Sequence, residues 1–248
     1  MIYLKSNSEI EIMQKAGRIV AETLTKIEEV IKPGITTEEL DKIAEEHITK
    51  CGARPSFKGH YGFPASICTS INEVVVHGIP GKRTLQEGDI IGVDCGAFYG
   101  GFHGDAARTF PVGKVSIMAE KLIEVTRESF FQGLKYAVVG NRLGDIGNAV
   151  QTYVEAHGFS VVRDYVGHGI GKNIWEEPSV PNYGVAGKGL KLAKGLVIAI
   201  EPMVNTGGYD VKNLADGWTV VTKDGGLSAH YENTIAILED GPKILTLI

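Results

Sequence analysis

Five polar side chains sit where apolar strands or glycine-rich stretches would present them: Asp94, Asp105, His168, Glu201 and Glu232. Taken singly, each reads better as a solvated strand end or a loop residue than as a functional group. Glu201 follows Val197-Ile198-Ala199-Ile200, and Glu232 precedes Ile235-Ala236-Ile237. A carboxylate at the end of so apolar a strand needs a partner, and few basic residues stand nearby in sequence to supply one. Four carboxylates and one imidazole suit a pair of divalent cations. The count exceeds the four ligands of a structural zinc, and the donors suit Mn, Fe(II), Co or Zn rather than copper. Two such ions about 3.5–4 Å apart generate a hydroxide nucleophile and polarise a carbonyl, which is hydrolase chemistry.

The two aspartates frame a reversal. Apolar Ile90, Ile91 and Val93 precede Asp94, and Tyr99-Gly100-Gly101-Phe102 separates it from Asp105. That pattern predicts a hairpin. Asp94 and Asp105 are equidistant from a turn at Tyr99–Gly101, so an unbulged pairing sets them directly opposite, with Cβ atoms roughly 5 Å apart. Two carboxylates that close repel and share a proton unless a cation intervenes. The hairpin alone leaves three readings open: a metal site, an acid dyad, or a polar hairpin.

The flanking elements follow from periodicity. Ser8 and Glu11 form a Ser-x-x-Glu capping pattern, and Ile10, Met13, Gly17, Val20, Leu24, Ile27 and Ile31 recur at helical spacing up to Lys32-Pro33-Gly34. Thr36 and Glu39 open a second helix that stops at Cys51-Gly52. Strands are predicted at 65–71 and 73–77. Helices at 116–139 and 143–156 precede strands at 159–166, 195–203, 218–223 and 228–238, with an irregular loop running from the 167–171 segment to Gly189. The order helix, glycine turn, helix, strands occurs twice, with turns at Gly34 and Gly140, 106 residues apart. We expect an α+β fold of two pseudo-symmetric halves. No linker-like segment separates them, so residues 1–248 read as one catalytic domain.

Composition narrows the function classes. The 248 residues carry a net charge of −5 and no lysine or arginine cluster, which disfavours nucleic acid and is compatible with a cationic substrate such as a free amine. Glycine is high, 32 residues against a usual share of about 7%, as expected where backbone approaches a ligand. Three cysteines, Cys51, Cys68 and Cys95, none in a CxxC, fit a reducing compartment. The chain opens on no signal peptide and has no apolar run near the roughly 20 residues that cross a bilayer. The expectation is a cytoplasmic protein without membrane contact.

The segments VHGIP (76–80), DCG (94–96), HGDAART (103–109), GHGIG (167–171), IEPM (200–203) and YENT (231–234) resemble the methionine aminopeptidases of type I, metallopeptidases of family M24. The likeness runs nearly end to end and includes PSFKG and FPASICTSINE ahead of His77. It implies the pita-bread fold, two divalent metal ions and a substrate bearing an N-terminal methionine with a small second residue. By that resemblance Asp94 chelates one metal, Asp105 and Glu232 bridge both, and His168 and Glu201 complete the other. Glu201 also shuttles the proton to the leaving amine, and His77 hydrogen-bonds the scissile peptide. The methionine side chain would lie among Phe63, Cys68 and Trp218, with help from the 57–61 loop, so His60 and Tyr61 join the substrate wall with Trp175. Asn72, Val74 and Ser228 match positions that bind a monovalent cation in the family. The 32 residues between His168 and Glu201 leave no room for the type II insertion, and no zinc-finger extension precedes the catalytic region. The family expectation is a monomer acting on nascent polypeptides, in transient association with the ribosome.

The sequence departs from this pattern at Trp175, where the family carries a histidine thought to hydrogen-bond the substrate carbonyl. An indole N–H donates but neither accepts nor carries a proton. His60-Tyr61 falls where the family has tyrosine followed by a polar residue, and Ile174 replaces a residue that is often aromatic. Two alternatives stand beside the peptidase reading: a peptide-binding pita-bread protein with lost catalysis, and an Xaa-Pro-type aminopeptidase.

Overall fold

The computed structural model describes residues 2–248. Each half begins with a helix pair. Helices α1 (Asn7–Val30) and α2 (Thr37–Lys50) open the first, and α3 (Ile117–Leu134) and α4 (Leu143–Ala156) open the second. Strands β1 (Arg54–Pro55), β2 (Ile67–Ile71), β3 (Val74–Val76), β4 (Ile90–Tyr99) and β5 (Phe102–Pro111) follow α2. After α4 come β6 (Ser160–Val161), β7 (Gly167–Gly169), β8 (Glu176–Val180), β9 (Val197–Ile200) and β10 (Met203–Asn205). The chain ends with β11 (Val211–Asn213), β12 (Val220–Thr222), β13 (Ser228–His230), β14 (Asn233–Leu238) and β15 (Gly241–Ile244). All paired strands are antiparallel. β1 and β2 lie along one edge of β4 and β5 along the other, while the second half builds the order β15-β14-β9-β7-β8.

The helices cover these sheets by their apolar faces. Leu24 and Ile27 of α1 and Leu40 and Ile48 of α2 bury against Ile91 and Val93 of β4. Val125 of α3 and Val150 and Val154 of α4 bury with Ile90, Phe159 and Val204. Each such aliphatic side chain contributes about 1.5–3 kcal/mol.

Several boundaries differ from the sequence-based expectation. The cap of α1 is Ser6 rather than Ser8: its hydroxyl accepts from Glu9 N–H, and Glu9 returns a carboxylate to Ser6 N–H at 2.8 Å. The segment contains two overlapping Ser-x-x-Glu patterns, and the chain uses the earlier. Helix α3 stops at Leu134 because Tyr136 and Ala137 donate to Gly133 and Leu134 in tight turns instead of continuing the ladder. The 159–166 strand shrinks to β6. The supposed loop after 171 contains β8. The 195–203 and 228–238 strands are each broken in two, at Glu201-Pro202 and at Tyr231-Glu232.

The duplication is real and is written in backbone hydrogen bonds. Gly34 donates to Leu85 O and Leu85 to Ile35 O, both at 2.9 Å; Gly140 donates to Leu192 O and Leu192 to Asn141 O, at 3.1 and 2.7 Å. The halves meet where β5 faces β14. There Glu232 N–H donates to Ala107 O at 2.9 Å and Ala107 N–H to Glu232 O at 3.4 Å. On either side a threonine hydroxyl both donates and accepts. Thr234 bonds the carbonyl and N–H of Asp105 at 2.9 and 3.0 Å. Thr109 does the same to His230, at 2.9 Å each.

Helix α1 crosses the hairpin at Gly104, where an added Cβ would lie 2.7 Å from Gly17 N and 2.9 Å from Gly17 Cα. Gly104→Ala therefore pushes α1 off the strand beside Asp105. We expect it to cost about 1–3 kcal/mol in urea unfolding. Gly81→Ala, with open space around it, should stay within about 0.5 kcal/mol. Equal midpoints for the two variants would refute the close-approach account.

Candidate metal centre

The hairpin register corrects one expectation. Gly100 and Gly101, at φ +59° and +91°, make a two-residue turn, the geometry that suits the twist of an antiparallel pair. Asp94 therefore faces Ala107 and Asp105 faces Gly96, so the aspartates are diagonal, not opposed. Diagonal neighbours on one face are about 7–8 Å apart. The slip preserves the face, and both carboxylates still enter the same cavity.

Glu201 emerges directly after β9, where Pro202 interrupts the strand and Asn182 holds the Glu201 carbonyl at 2.9 Å. Glu232 emerges between β13 and β14, braced from behind by Arg108. That guanidinium lies over the Tyr231 ring at 4.2 Å and donates to the backbone carbonyls of Ala107 and Glu232. Arg108 thus serves the Glu232 backbone and does not pair with its carboxylate. His168 sits on strand β7 rather than in a loop. Its flanking glycines are required by close approach: a Cβ on Gly167 would lie 2.3 Å from Ala199 O, and one on Gly169 2.2 Å from Glu177 O.

These side chains converge. His168 Nε2 lies 3.5 Å from Glu201 Oε1 and 3.8 Å from Asp105 Oδ2. His168 Nδ1 is 2.9 Å from Gly169 O; donating there leaves Nε2 as the free lone pair, the tautomer a metal needs. Ligand atoms of Asp105, His168 and Glu232 all lie within 4.8 Å of one another. Burial raises every carboxylate. Asp94 is pushed up to about 7 by burial, with Glu201 adding to the rise, and Glu201 to about 7 by burial. Asp105 and Glu232 rise well above the ordinary range, through burial and then the neighbouring carboxylates. Asp94 Oδ1, Asp105 Oδ1 and Glu232 Oε1 are buried with no hydrogen-bond partner. A cluster of unpartnered anionic oxygens beside an imidazole lone pair fits divalent cations, which would satisfy each orphan at once.

The cavity above the cluster measures about 250 Å³ and is lined by His60, Phe63, Cys68, His77, Trp175 and Trp218 among others. Phe63 and Trp218 meet edge to face at 5.0 Å. His77 is held at φ +59°, and burial depresses it to about 4, so it is a neutral imidazole. Tyr61 is the exception among the expected wall residues. At φ +46° its side chain turns outward, 80% exposed, and stacks on Trp175 at 5.9 Å rather than lining the cavity. Asn72, Val74 and Ser228 lie outside the cavity wall. Asn72 O accepts from Ser228 N–H at 2.8 Å, Val74 is buried on β3, and Ser228 Oγ is buried without a partner.

Sequence reasoning missed His230. Its Nε2 stands 3.6 Å from Glu201 Oε2 and 4.0 Å from Glu232 Oε2, buried and without a hydrogen-bond partner. The signal was present, since a residue two before Glu232 shares its face along a strand. Tyr165 and Met203 also line the cavity; nothing in their spacing marks them.

The raised carboxylates set a stability profile with a definite sign. In chelator, the folded chain holds protons on Asp105 and Glu232 that the unfolded chain has released, so stability falls as pH rises above neutrality. Below about pH 6.5, His77, His103 and His230, each depressed to about 4, act oppositely and offset the carboxylates. The thermal midpoint in chelator should fall by several degrees between pH 6.5 and 8, at about 2–4 °C per kcal/mol for a chain of this size. Manganese should flatten the fall. A midpoint that rises over this range, or ignores the metal, contradicts the cluster.

A model of metallopeptidase family M24 matches residues 11–239. A methionine aminopeptidase of Clostridium perfringens is 64% identical over 248 residues, covering all of both chains. The crystal structures of methionine aminopeptidases from Rickettsia prowazekii and Thermotoga maritima share 44% and 46% identity. Each covers all of both chains at a TM-score of 0.98. The mixed helices and antiparallel sheets are the pita-bread fold of these neighbours. Likeness over the whole length, joined to a buried carboxylate cluster that needs cations, settles the relationship: the chain belongs to metallopeptidase family M24, among its methionine aminopeptidases.

Proposed function

We propose that this chain removes the N-terminal methionine from peptides and nascent polypeptides, favouring a small second residue. The observation that carries the reading is the convergence of Asp94, Asp105, His168, Glu201 and Glu232 at one end of an apolar cavity sized for a single side chain. At about 250 Å³ it falls near the lower end of ligand cavities. Asp94 would hold one divalent ion, Asp105 and Glu232 would be shared, and His168 and Glu201 would hold the second. Mn, Fe(II), Co and Zn all suit these donors. Bound there, the ions would supply a hydroxide nucleophile at neutral pH and polarise the scissile carbonyl.

The chain's own residues do the rest. Glu201, raised to about 7, is poised to take a proton and return it to the leaving amine. His77, neutral and fixed by its backbone, hydrogen-bonds the scissile peptide. Phe63, Cys68 and Trp218 receive the thioether. The free substrate amine would bind at the metal centre, which limits cleavage to a chain end. Asn72, Val74 and Ser228 are assigned a monovalent cation, supported by the unpartnered Ser228 hydroxyl. We read residues 1–248 as one catalytic domain, a cytoplasmic monomer meeting its substrates at the ribosome. Among the described residues no helix is long and apolar enough to cross a membrane.

Trp175 and His60 meet edge to face at 4.8 Å, and His60 Nε2 is buried without a partner. This wall differs from the family pattern, and we assign the chain slow or specialised turnover on that account.

Release of methionine from a Met-Ala-Ser peptide, assayed with Mn, Co, Fe(II) and Zn, is the direct test; a peptide binder releases none with any metal. Glu201→Gln should lower kcat by about 10²–10⁴. Trp175→His should raise kcat, by up to about 10²–10³ if it restores a transition-state contact. Unchanged or lower turnover in that variant would show that Trp175 does not limit catalysis.

A further inference from the structure

Away from the catalytic cavity, three side chains of different chemistry meet on the outer face of the first helix pair. Glu22 projects from α1, His47 from the last turn of α2, and Cys51 caps that helix. His47 and Cys51 are four residues apart, so they share one helix face. Cys51 Sγ lies 3.6 Å from His47 Nε2, and Glu22 Oε2 lies 3.6 Å from the same nitrogen. All three atoms fall within 4.8 Å of one another. The side chains are partly sheltered, 12% exposed for His47 and 32% for Glu22.

The geometry points to convergence, not relay. In a thiol–imidazole–carboxylate relay, sulfur and carboxylate would address the two different ring nitrogens. Here both address Nε2. One ring proton serves one of them, and a neutral imidazole that accepts from the thiol has nothing to offer the carboxylate. A cation among the three atoms satisfies all of them. The spacings agree with this. Zinc–sulfur bonds of about 2.3 Å and zinc–nitrogen bonds of about 2.0–2.1 Å at tetrahedral angles give a sulfur–nitrogen edge of about 3.5 Å and a nitrogen–oxygen edge of about 3.3 Å. Arg18 holds the other carboxylate oxygen, Glu22 Oε1, at 2.9 Å, which turns Oε2 towards the imidazole. Burial, then Lys26, lowers the pKa of His47 and keeps its lone pair available.

We propose that Glu22, His47 and Cys51 form a second metal site, for a thiolate-binding divalent ion such as zinc, that staples α1 to α2. On binding, the Cys51 S–H proton passes to solvent and a sulfur–metal bond replaces the S–H bond. Carboxylate and thiolate then carry two negative charges against the dication, so Lys26 and Lys50 face a neutral site. Water fills the fourth position. None of the three residues lines the catalytic cavity, so the site serves stability and not turnover.

Cobalt(II) titration separates this site from the catalytic one, because only a thiolate gives the sulfur-to-cobalt charge-transfer absorption and the five catalytic candidates contain no sulfur. The wild type and Asp94→Asn should each show the band, with a saturating intensity of one thiolate-bound cobalt per chain. Cys51→Ser should show none, and His47→Gln should bind at least tenfold more weakly. Should Cys51→Ser fail to fold, the wild-type chain still answers: zinc should slow alkylation of Cys51 at least tenfold, located by peptide mapping, and chelator should restore it. Cleavage of Met-Ala-Ser by Cys51→Ser should match the wild type, which keeps this test independent of the peptidase reading. A band missing from the wild type, a band that survives Cys51→Ser, or alkylation indifferent to zinc overturns the proposal.

Discussion

Four carboxylates withdrawn from water into one cavity are the interaction on which the rest of this structure depends. Each would cost several kcal/mol if ionised and unpaired, so in the metal-free chain Asp105 and Glu232 keep their protons. The fold must hold them together in the metal-free chain and leave their oxygens free for cations. It does so through the backbone. Asp105 is gripped at both its N–H and its carbonyl by the Thr234 hydroxyl, and Glu232 exchanges backbone hydrogen bonds with Ala107. Main-chain anchoring leaves the side-chain oxygens unpartnered. Pairing the carboxylates with side-chain donors would have stabilised the apo protein at the expense of the metal site.

The two-fold repetition explains why the seam is where it is. The contacts Gly34–Leu85 and Gly140–Leu192 recur 106 or 107 residues apart, and the same interval carries Asp94 onto Glu201. Thr109 bonds His230 as Thr234 bonds Asp105, with the Ala107–Glu232 exchange between them. That exchange is its own image across the seam, so it lies at the pseudo-two-fold axis. Asp105 and His230 are then equivalent positions, which accounts for a histidine beside Glu201 where the first half has an aspartate beside Asp94. Two halves built alike present their carboxylates from both sides of one cavity, a natural arrangement for binding divalent cations.

The chemistry was more legible than the geometry. Glu201 and Glu232 stood out because charge at the end of an apolar strand is costly, whereas Asp94, Asp105 and His168 gained meaning only as a set with them. The hairpin and its shared face were readable from parity, which survives the change of turn. The register was not, because Tyr99-Gly100-Gly101-Phe102 admits two turn placements and only the paired positive φ angles choose between them. The strands holding Glu201 and Glu232 were read as continuous, since apolar periodicity does not report the local break that frees a ligand side chain. His230 was hidden among the residues that merely alternate, and its meaning came from β13 meeting the β9 end across the sheets. Tyr61 was misplaced for a local reason: a positive φ at a non-glycine residue is invisible in sequence and reverses the side chain.

The candidate metal ligands and the proposed substrate wall stand on different supports, and this decides what a substitution at position 175 can reach. The candidate ligands come from β4, β5, β7 and the ends of β9 and β14, each locked in a ladder. The part of the wall around Trp175 comes from two turns. One is the 57–63 segment, with positive φ at Gly59, Tyr61 and Gly62. The other precedes β8 and is fastened by the buried Lys5–Glu176 ion pair at 2.7 Å and by Asn173 N–H on Glu176 at 3.1 Å. Trp175 rests on His60 and Tyr61. Functional groups on turns vary without straining the scaffold that positions the chemistry. An indole there reshapes the mouth of the cavity. The carboxylate cluster is anchored at the seam instead.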